Sequence, residues 1–284
     1  MYADLHLHSC YSDGTFTPEE IVRRAQRQGL GAIALTDHDT VEGCAVAAAE
    51  CAAAGIEFVI GTELTAEHAD HELHLLAYFI DPTNPALRDE INKFQQVRQE
   101  RIRKMVAHLN ELGVPLPVEE VFALANCKSP GRPHVARALV QREFCHTLDE
   151  AFERYLKKGR PAWVPKARMD VLTVIQLVRQ AGGLVVLAHP GLNKADELIP
   201  ELVSAGLDGI ECFHTKHSAP VAQRYLGLAQ RYHLLVTGGS DCHGMGKRKP
   251  LIGTVRLARA DFDRFKAAAE QRKRTQQTTP AAPA

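Results

Sequence analysis

The chain has 284 residues, and its 34 Lys plus Arg balance its 34 Asp plus Glu, so the formal net charge is zero. That length suffices for a large core, as one domain or a domain with an insertion, while the neutral balance and the lack of a membrane-length apolar stretch exclude a global attraction to long nucleic acid or a bilayer. The seven cysteines are scattered without a Cys-x-x-Cys pair, which excludes a disulfide framework, and the N-terminus shows no secretion signal, so a soluble cytoplasmic protein is expected.

The first predicted element is the stretch 4–14, Asp-Leu-His-Leu-His-Ser-Cys-Tyr-Ser-Asp-Gly. Asp4, His6 and His8 share one parity and Leu5 and Leu7 the other. On a strand the leucines can enter a core while the two imidazoles converge on one point. Two such imidazoles can grip a metal ion, and Asp13 in the following turn can reach the same cavity. The bland alternative is a half-buried strand whose histidines merely hydrogen-bond.

Thr17, Pro18 and Glu20 then open a helix through a capping box, with Ile21, Val22 and Ala25 on its apolar face and Gly29 as its stop. An apolar strand over 31–36 ends in the polar burst Asp37-His38-Asp39. A helix follows over 41–54, then a strand over 56–60 closed by Gly61-Thr62-Glu63, then a strand over 73–79 carrying His74. From 84 to about 165 the pattern is helical throughout, with helices expected over 84–112, 118–125, 134–142 and 148–157 and prolines at both flanks.

Alternation of helix and strand resumes with a helix over 171–180 and a strand over 183–188 that ends in His189. A helix over 195–205 leads to a strand over 207–213, which carries Glu211 and ends at His214. A helix over 220–232 and a strand over 234–237 precede Gly-Gly-Ser-Asp241-Cys-His243-Gly. The organisation expected is a barrel domain over 1–82 and 166–265, a helical insertion over 83–165 and a disordered tail over 266–284.

The polar residues at strand ends form a list: His6, His8, Asp13, His38, Glu63, His74, His189, Asp241 and His243. In a barrel all those ends meet at one mouth. One such His can be a turn cap, but nine crowded imidazoles and carboxylates would repel and desolvate one another. Divalent cations remove that penalty. Nine nitrogen and oxygen ligands with one bridging carboxylate suit two or three ions of Mn²⁺, Fe²⁺ or Zn²⁺.

His-Leu-His at 6–8, Ser-Asp-Gly at 12–14, Leu-Thr-Asp-His-Asp-Thr at 35–40, Gly-Thr-Glu at 61–63, Ala-His-Pro-Gly at 188–191 and Gly-Ser-Asp-Cys-His-Gly at 239–244 resemble the motifs of the PHP (polymerase and histidinol phosphatase) family. Cys242 departs from the pattern, which has an aromatic residue there; alternation would turn it away from the metals. The resemblance implies an α/β fold, a distorted (β/α)7 barrel, with a trinuclear metal site and phosphoester hydrolysis. It further implies that His6, His8, Glu63 and Asp241 hold a first ion. Glu63, His74 and His189 would hold a second, and Asp13, His38 and His243 a third. His68 and His71 compete with His74 for its place. The insertion, with Gly131-Arg132-Pro133-His134, resembles the branch of 3′,5′-nucleoside bisphosphate phosphatases and 5′-3′ exoribonucleases.

The expected chemistry is attack of metal-activated hydroxide on the 3′-phosphate of a nucleoside 3′,5′-bisphosphate such as adenosine 3′,5′-bisphosphate, with Asp241 orienting the water and manganese as the preferred metal. His134 or His214 would protonate the leaving oxygen. Arg98, Arg101, Arg103, Lys104 and Arg132, joined by Asp13 and His134, are candidates for binding the substrate, with Arg132 favoured for a bidentate grip on the second phosphate; a solvated basic face is the competing reading. Tyr155 and Trp163 can stack on a base or serve as core. The expected partner is a small nucleotide or short RNA. The alternatives are an exonuclease, a histidinol-phosphate phosphatase, or a non-catalytic metal-binding module.

Overall fold

A computed structural model describes residues 1–69, 71–166, 169–247 and 249–278. Its centre is one sheet of nine strands: β1 (Tyr2–Asp4), β2 (Leu30–Leu35), β3 (Glu57–His68), β4 (His71–Tyr78), β5 (Met169–Asp170), β6 (Leu184–Leu187), β7 (Gly209–His214), β8 (Leu235–Gly239) and β9 (Leu257–Ala258). The order is β8-β7-β6-β4-β3-β2-β1-β9, with β5 on β3. The sheet curls into a nearly closed barrel. Past β1 the chain stays extended and meets the end of β8, through Leu5 N to Gly238 O at 3.1 Å and His8 N to Cys242 O at 3.0 Å.

The barrel is distorted at β4. This strand runs antiparallel to both β3 and β6, whereas β1–β2, β2–β3, β6–β7 and β7–β8 are parallel. The sequence reading ended a strand at Ile60; β3 instead runs on to His68, because its second half pairs residue by residue with β4. Glu63 therefore lies within a strand, not after one, and its direction is fixed by the ladder.

Around the barrel pack α1 (Pro18–Arg27), α2 (Cys44–Ala54), the long α3 (Pro85–Glu111), α7 (Val171–Gln180), the short α8 (Pro190–Asn193), α9 (Ile199–Ala205) and α10 (Ala219–Arg231), after the insertion helices α4 (Val118–Ala125), α5 (Arg132–Gln141) and α6 (Leu148–Ala151) with a π turn over Phe152–Leu156. Leu87 and Ile91 at the start of α3 join the barrel core. Further along, Ile102, Met105 and Leu109 enter a separate core with Val121, Val135, Leu139 and Leu156. Residues 83–165 stand as the proposed bounds of the insertion.

The C-terminus differs from the expected disordered tail. The stretch read as a tail from Lys266 belongs to α11 (Arg259–Thr278); residues 279–284 lie outside the described part. Phe262, Phe265 and Ala269, spaced three and four apart, are buried against the barrel. Arg272 pairs with Asp208 and donates to Gly183 O, anchoring the polar end that composition alone marked as loose. Among the described residues no helix is long and apolar enough to cross a membrane.

Candidate metal centre

Alternation past β1 delivers what the sequence suggested. Leu5 and Leu7 are buried in apolar clusters, and His6 and His8 are buried on the other parity with ring centroids 5.1 Å apart. Glu63 lies at the centre. Its Oε2 is 3.3 Å from His6 Nε2, 3.2 Å from His8 Nε2 and 3.2 Å from His38 Nδ1. Its Oε1 is 2.6 Å from His74 Nδ1 and 3.1 Å from His189 Nε2. One carboxylate thus faces five imidazoles.

Two more carboxylates flank it. Asp241 Oδ1 is 3.4 Å from His8 Nε2, 3.7 Å from His6 Nε2 and 3.3 Å from His243 Nδ1. Asp13 Oδ1 is 3.2 Å from His243 Nε2, and its Oδ2 is 3.9 Å from His38 Nε2. All nine residues drawn from the sequence converge. His68 and His71 do not: they pair with Glu201 and Glu197, leaving His74 as the hairpin residue that reaches Glu63.

The donor chemistry fits metal. Both ring nitrogens of His8, Nδ1 of His38 and Oδ1 of Asp13 are buried without a hydrogen bond. Such groups each cost on the order of 1–3 kcal/mol when left unpaired. His8 Nε2 lies between two carboxylates, 3.2 Å from Glu63 Oε2 and 3.4 Å from Asp241 Oδ1, a place where one cation would meet all three. Three subsets, His8–Asp13–His38–His243, His6–His8–Asp241 and His38–Glu63–His74, each bring their ligand atoms within 4.8 Å of one another. Burial alone would raise the pKa of Glu63, but His38, His74 and His6 outweigh it and hold it well below the carboxylate range. Asp241 and Asp13 are held low in the same way, each against its own burial, with His243 the leading counter-charge. The three carboxylates are therefore ionised at neutral pH, and the cluster is able to bind cations.

The backbone contributes. Asp241 (φ 51°), His189 (φ 28°) and Asp39 (φ 49°) adopt left-handed conformations, each costing about 1–3 kcal/mol and recurring where function requires a side chain to be turned. Cys242, between Asp241 and His243, points away into the apolar layer as alternation requires. Behind the cluster lie residues that the sequence reading did not assign. Glu211 Oε1 is 2.9 Å from His6 Nδ1, and its Oε2 accepts from His189 N at 2.7 Å. Its signal was a carboxylate in an apolar strand, on the parity opposite Ile210 and Cys212. Asp37 accepts from Ser9 N, Ser9 Oγ and Ser12 Oγ and so fixes the loop that leads to Asp13.

The insertion forms a wall, but not with every expected residue. Arg98 Nε bonds Asp39 at 2.5 Å. A Cβ on Gly131 would sit 3.8 Å from both Arg98 Nη1 and Asp13 Oδ2, so the start of α5 lies over Asp13. Half-buried Arg132 feels the charges of Glu72, Asp13 and Arg98 there. Arg101 is buried, donates to Val164 O and lines a small cavity with Arg98 and Lys166. Arg103 and Lys104 do not join the wall. Both are exposed, and Arg103 lies over the Phe122 ring of α4, because they occupy the helix face opposite Arg98. Lys166, which sequence reasoning passed over, is 3.0 Å from Glu72 and 3.3 Å from His74 Nε2. Arg137 Nη2 donates to Asp13 O.

The two expected proton donors have different surroundings. His134 is buried, and its Nδ1 accepts from Gly131 N at 3.0 Å, which leaves the ring hydrogen on Nε2. Burial pushes its pKa down to about 4, so it is neutral at pH 7. His214, its side chain without exposed surface, lies behind Asp241 with Nε2 3.4 Å from Oδ2.

Comparison with known proteins agrees with this geometry. The model of the PHP domain matches residues 4–115. A 3′,5′-nucleoside bisphosphate phosphatase from Chromobacterium violaceum is 34% identical over 252 residues, covering 86% of this chain and 88% of that one. The 5′-3′ exoribonuclease Rnm of Salmonella typhimurium is 32% identical over 84% of each chain. A crystal structure from Bifidobacterium adolescentis, assigned as a metal-dependent phosphoesterase, superposes with TM-score 0.87 at 33% identity over 93% of this chain and 95% of that one. Fold and site are those of a metal-dependent phosphoesterase. The chain belongs to the PHP family.

Proposed function

We propose that this protein removes the 3′-phosphate of a nucleoside 3′,5′-bisphosphate, such as adenosine 3′,5′-bisphosphate, giving the 5′-nucleotide and phosphate. The observation that carries the reading is Glu63 facing five imidazoles beneath a wall that presents Arg98, Arg132 and Lys166. The buried centre calls for cations and one phosphate; with Arg98 paired to Asp39 and Lys166 to Glu72, a second anionic group on the same substrate would fall to Arg132.

His6, His8, Glu63 and Asp241 would hold one ion, Glu63, His74 and His189 a second, and Asp13, His38 and His243 a third, with Mn²⁺ favoured and Zn²⁺ or Fe²⁺ compatible with the same donors. Such ions, when bound, acidify water and neutralise phosphoryl charge. The chain's own residues do the rest. Arg132 would grip the non-reacting 5′-phosphate and so orient the 3′-phosphate for in-line attack. Asp241, tethered by His214, would take the proton of the attacking water. His134, neutral with its hydrogen on Nε2, would donate a hydrogen bond to a phosphoryl or sugar oxygen. The seven cysteines are free thiols, which suits a cytoplasmic nucleotide pool.

A second reading is 5′-3′ exonuclease action on short RNA, favoured by the similarity to an exoribonuclease along most of both chains. Measuring kcat/KM of the Mn²⁺-supplied protein on a nucleoside 3′,5′-bisphosphate, a 5′-phosphorylated oligoribonucleotide and histidinol phosphate separates them. The bisphosphate should exceed the others at least about tenfold, a difference of about 1.4 kcal/mol. A higher value for the oligoribonucleotide establishes the exonuclease instead, and no turnover of any of the three leaves a binding module.

A further inference from the structure

We infer that Glu211 is a positioning residue that serves two metal positions at once, an inference that rests on the metal-centre reading above. Glu211 has no exposed surface. Ile210 and Cys212 on either side enter the outer apolar core, which turns Glu211 into the barrel. Its two oxygens are divided between two candidate ligands of different ions. Oε1 is 2.9 Å from His6 Nδ1; Oε2 accepts the His189 amide at 2.7 Å. Those histidines face opposite oxygens of Glu63, His6 Nε2 at 3.3 Å from Oε2 and His189 Nε2 at 3.1 Å from Oε1.

Each bond has a distinct consequence. An ionised carboxylate only accepts, so Oε1 keeps the His6 proton on Nδ1 and leaves the Nε2 lone pair toward the centre. Oε2 ties down the amide of a residue whose φ of 28° is strained, and thereby fixes where the His189 ring points. One buried anion thus sets the tautomer of one ligand and the backbone of another. A merely structural buried carboxylate would stabilise the barrel without affecting metal affinity.

The test uses Glu211→Gln and Glu211→Asp. The amide of the first can accept from only one of the two donors; the second keeps the charge but withdraws it by one methylene. Calorimetric titration of Mn²⁺ into the metal-free proteins should show both variants binding ions roughly ten- to a hundredfold more weakly than wild type, the range for lost support of metal ligands. Variants that melt lower but bind Mn²⁺ with unchanged affinity would overturn the inference while leaving the metal centre intact. A wild-type protein that binds no Mn²⁺ overturns both. Should the variants not fold, long-range ¹H–¹⁵N spectra of the Zn²⁺-loaded wild type decide: His6 must carry its hydrogen on Nδ1, and hydrogen on Nε2 contradicts the assignment.

Discussion

His214 Nε2 faces Asp241 Oδ2 at 3.4 Å, and the Lys216 amide donates to His214 Nδ1 at 3.1 Å. The second bond fixes the tautomer, so Nε2–H donates to Asp241. With that hydrogen directed at Asp241, we propose His214 as an orienting group for the carboxylate and not as a proton source for the leaving group. Asp241→Asn should abolish hydrolysis without unfolding the protein, since the amide keeps the shape and loses the charge. His214→Phe should lower kcat/KM about ten- to a hundredfold and leave the alkaline limb of the pH–rate profile in place. Loss of that limb in the Phe variant would restore His214 as the general acid.

Titration of His134 gives a stability signature. Its folded pKa of about 4 lies below the ordinary imidazole value, so the unfolded chain binds more protons between the two. The stability this neutral, buried ring allows is fully present above about pH 6.5 and is lost as pH falls toward 4. His134→Gln retains an oxygen at the third helical position to accept from Gly131 N, but it cannot titrate. Denaturant unfolding at pH 7 and pH 5 should show the wild type losing about 2 kcal/mol more than the Gln variant. Equal losses would show that His134 is not held neutral.

Substrate selectivity should follow the wall. Removing the 5′-phosphate should lower kcat/KM roughly ten- to a thousandfold, for a charge-assisted contact of about 1.5–4 kcal/mol. Arg132→Ala should impose a similar loss on the bisphosphate and little on the 3′-monophosphate. Both substrates with both proteins make a double-mutant cycle, and simple multiplication of the losses would show that Arg132 does not read the 5′-phosphate. Arg103→Ala and Lys104→Ala, on the exposed face of α3, should change kcat/KM less than about twofold.

The C-terminal helix should matter for stability. Phe265 packs edge-on to Tyr78 at 5.1 Å between centroids, and the Tyr78 hydroxyl donates to Leu5 O, next to His6. Phe265→Ala should cost about 3–5 kcal/mol in denaturant unfolding. A cost below about 1 kcal/mol would mean that the helix does not brace the barrel.

Much of the site was legible because strand ends gather by topology. His6 and His8 announced themselves by parity, and His38, His189 and Asp241 by position after apolar strands. Glu63 is visible although the apolar run of its strand ends at Ile60, eight residues before β3 does, since a polar residue in apolar surroundings stands out whatever the strand boundary. Three things were hidden. Glu211 stands out in its strand but gains no role from it, because one sequence does not reveal which buried carboxylate faces another chain segment. The insertion's basic residues could not be sorted, since Arg98 and Arg103 differ only in helix face and the face turned to the barrel depends on tertiary packing. The terminal helix was lost because its apolar stripe, Phe262–Phe265–Ala269, straddles the point where composition turns polar.

Glu63 is proposed to bridge a metal centre that performs phosphoester hydrolysis. The most direct measurement is an anomalous-difference map, collected at the manganese edge, from crystals of Mn²⁺-loaded protein whose activity has been assayed in the same preparation. Two or three peaks are expected around Glu63, with its carboxylate bridging two of them and His6, His8 and Asp241 around one. A fully active protein whose map shows no peak among these nine side chains would contradict it.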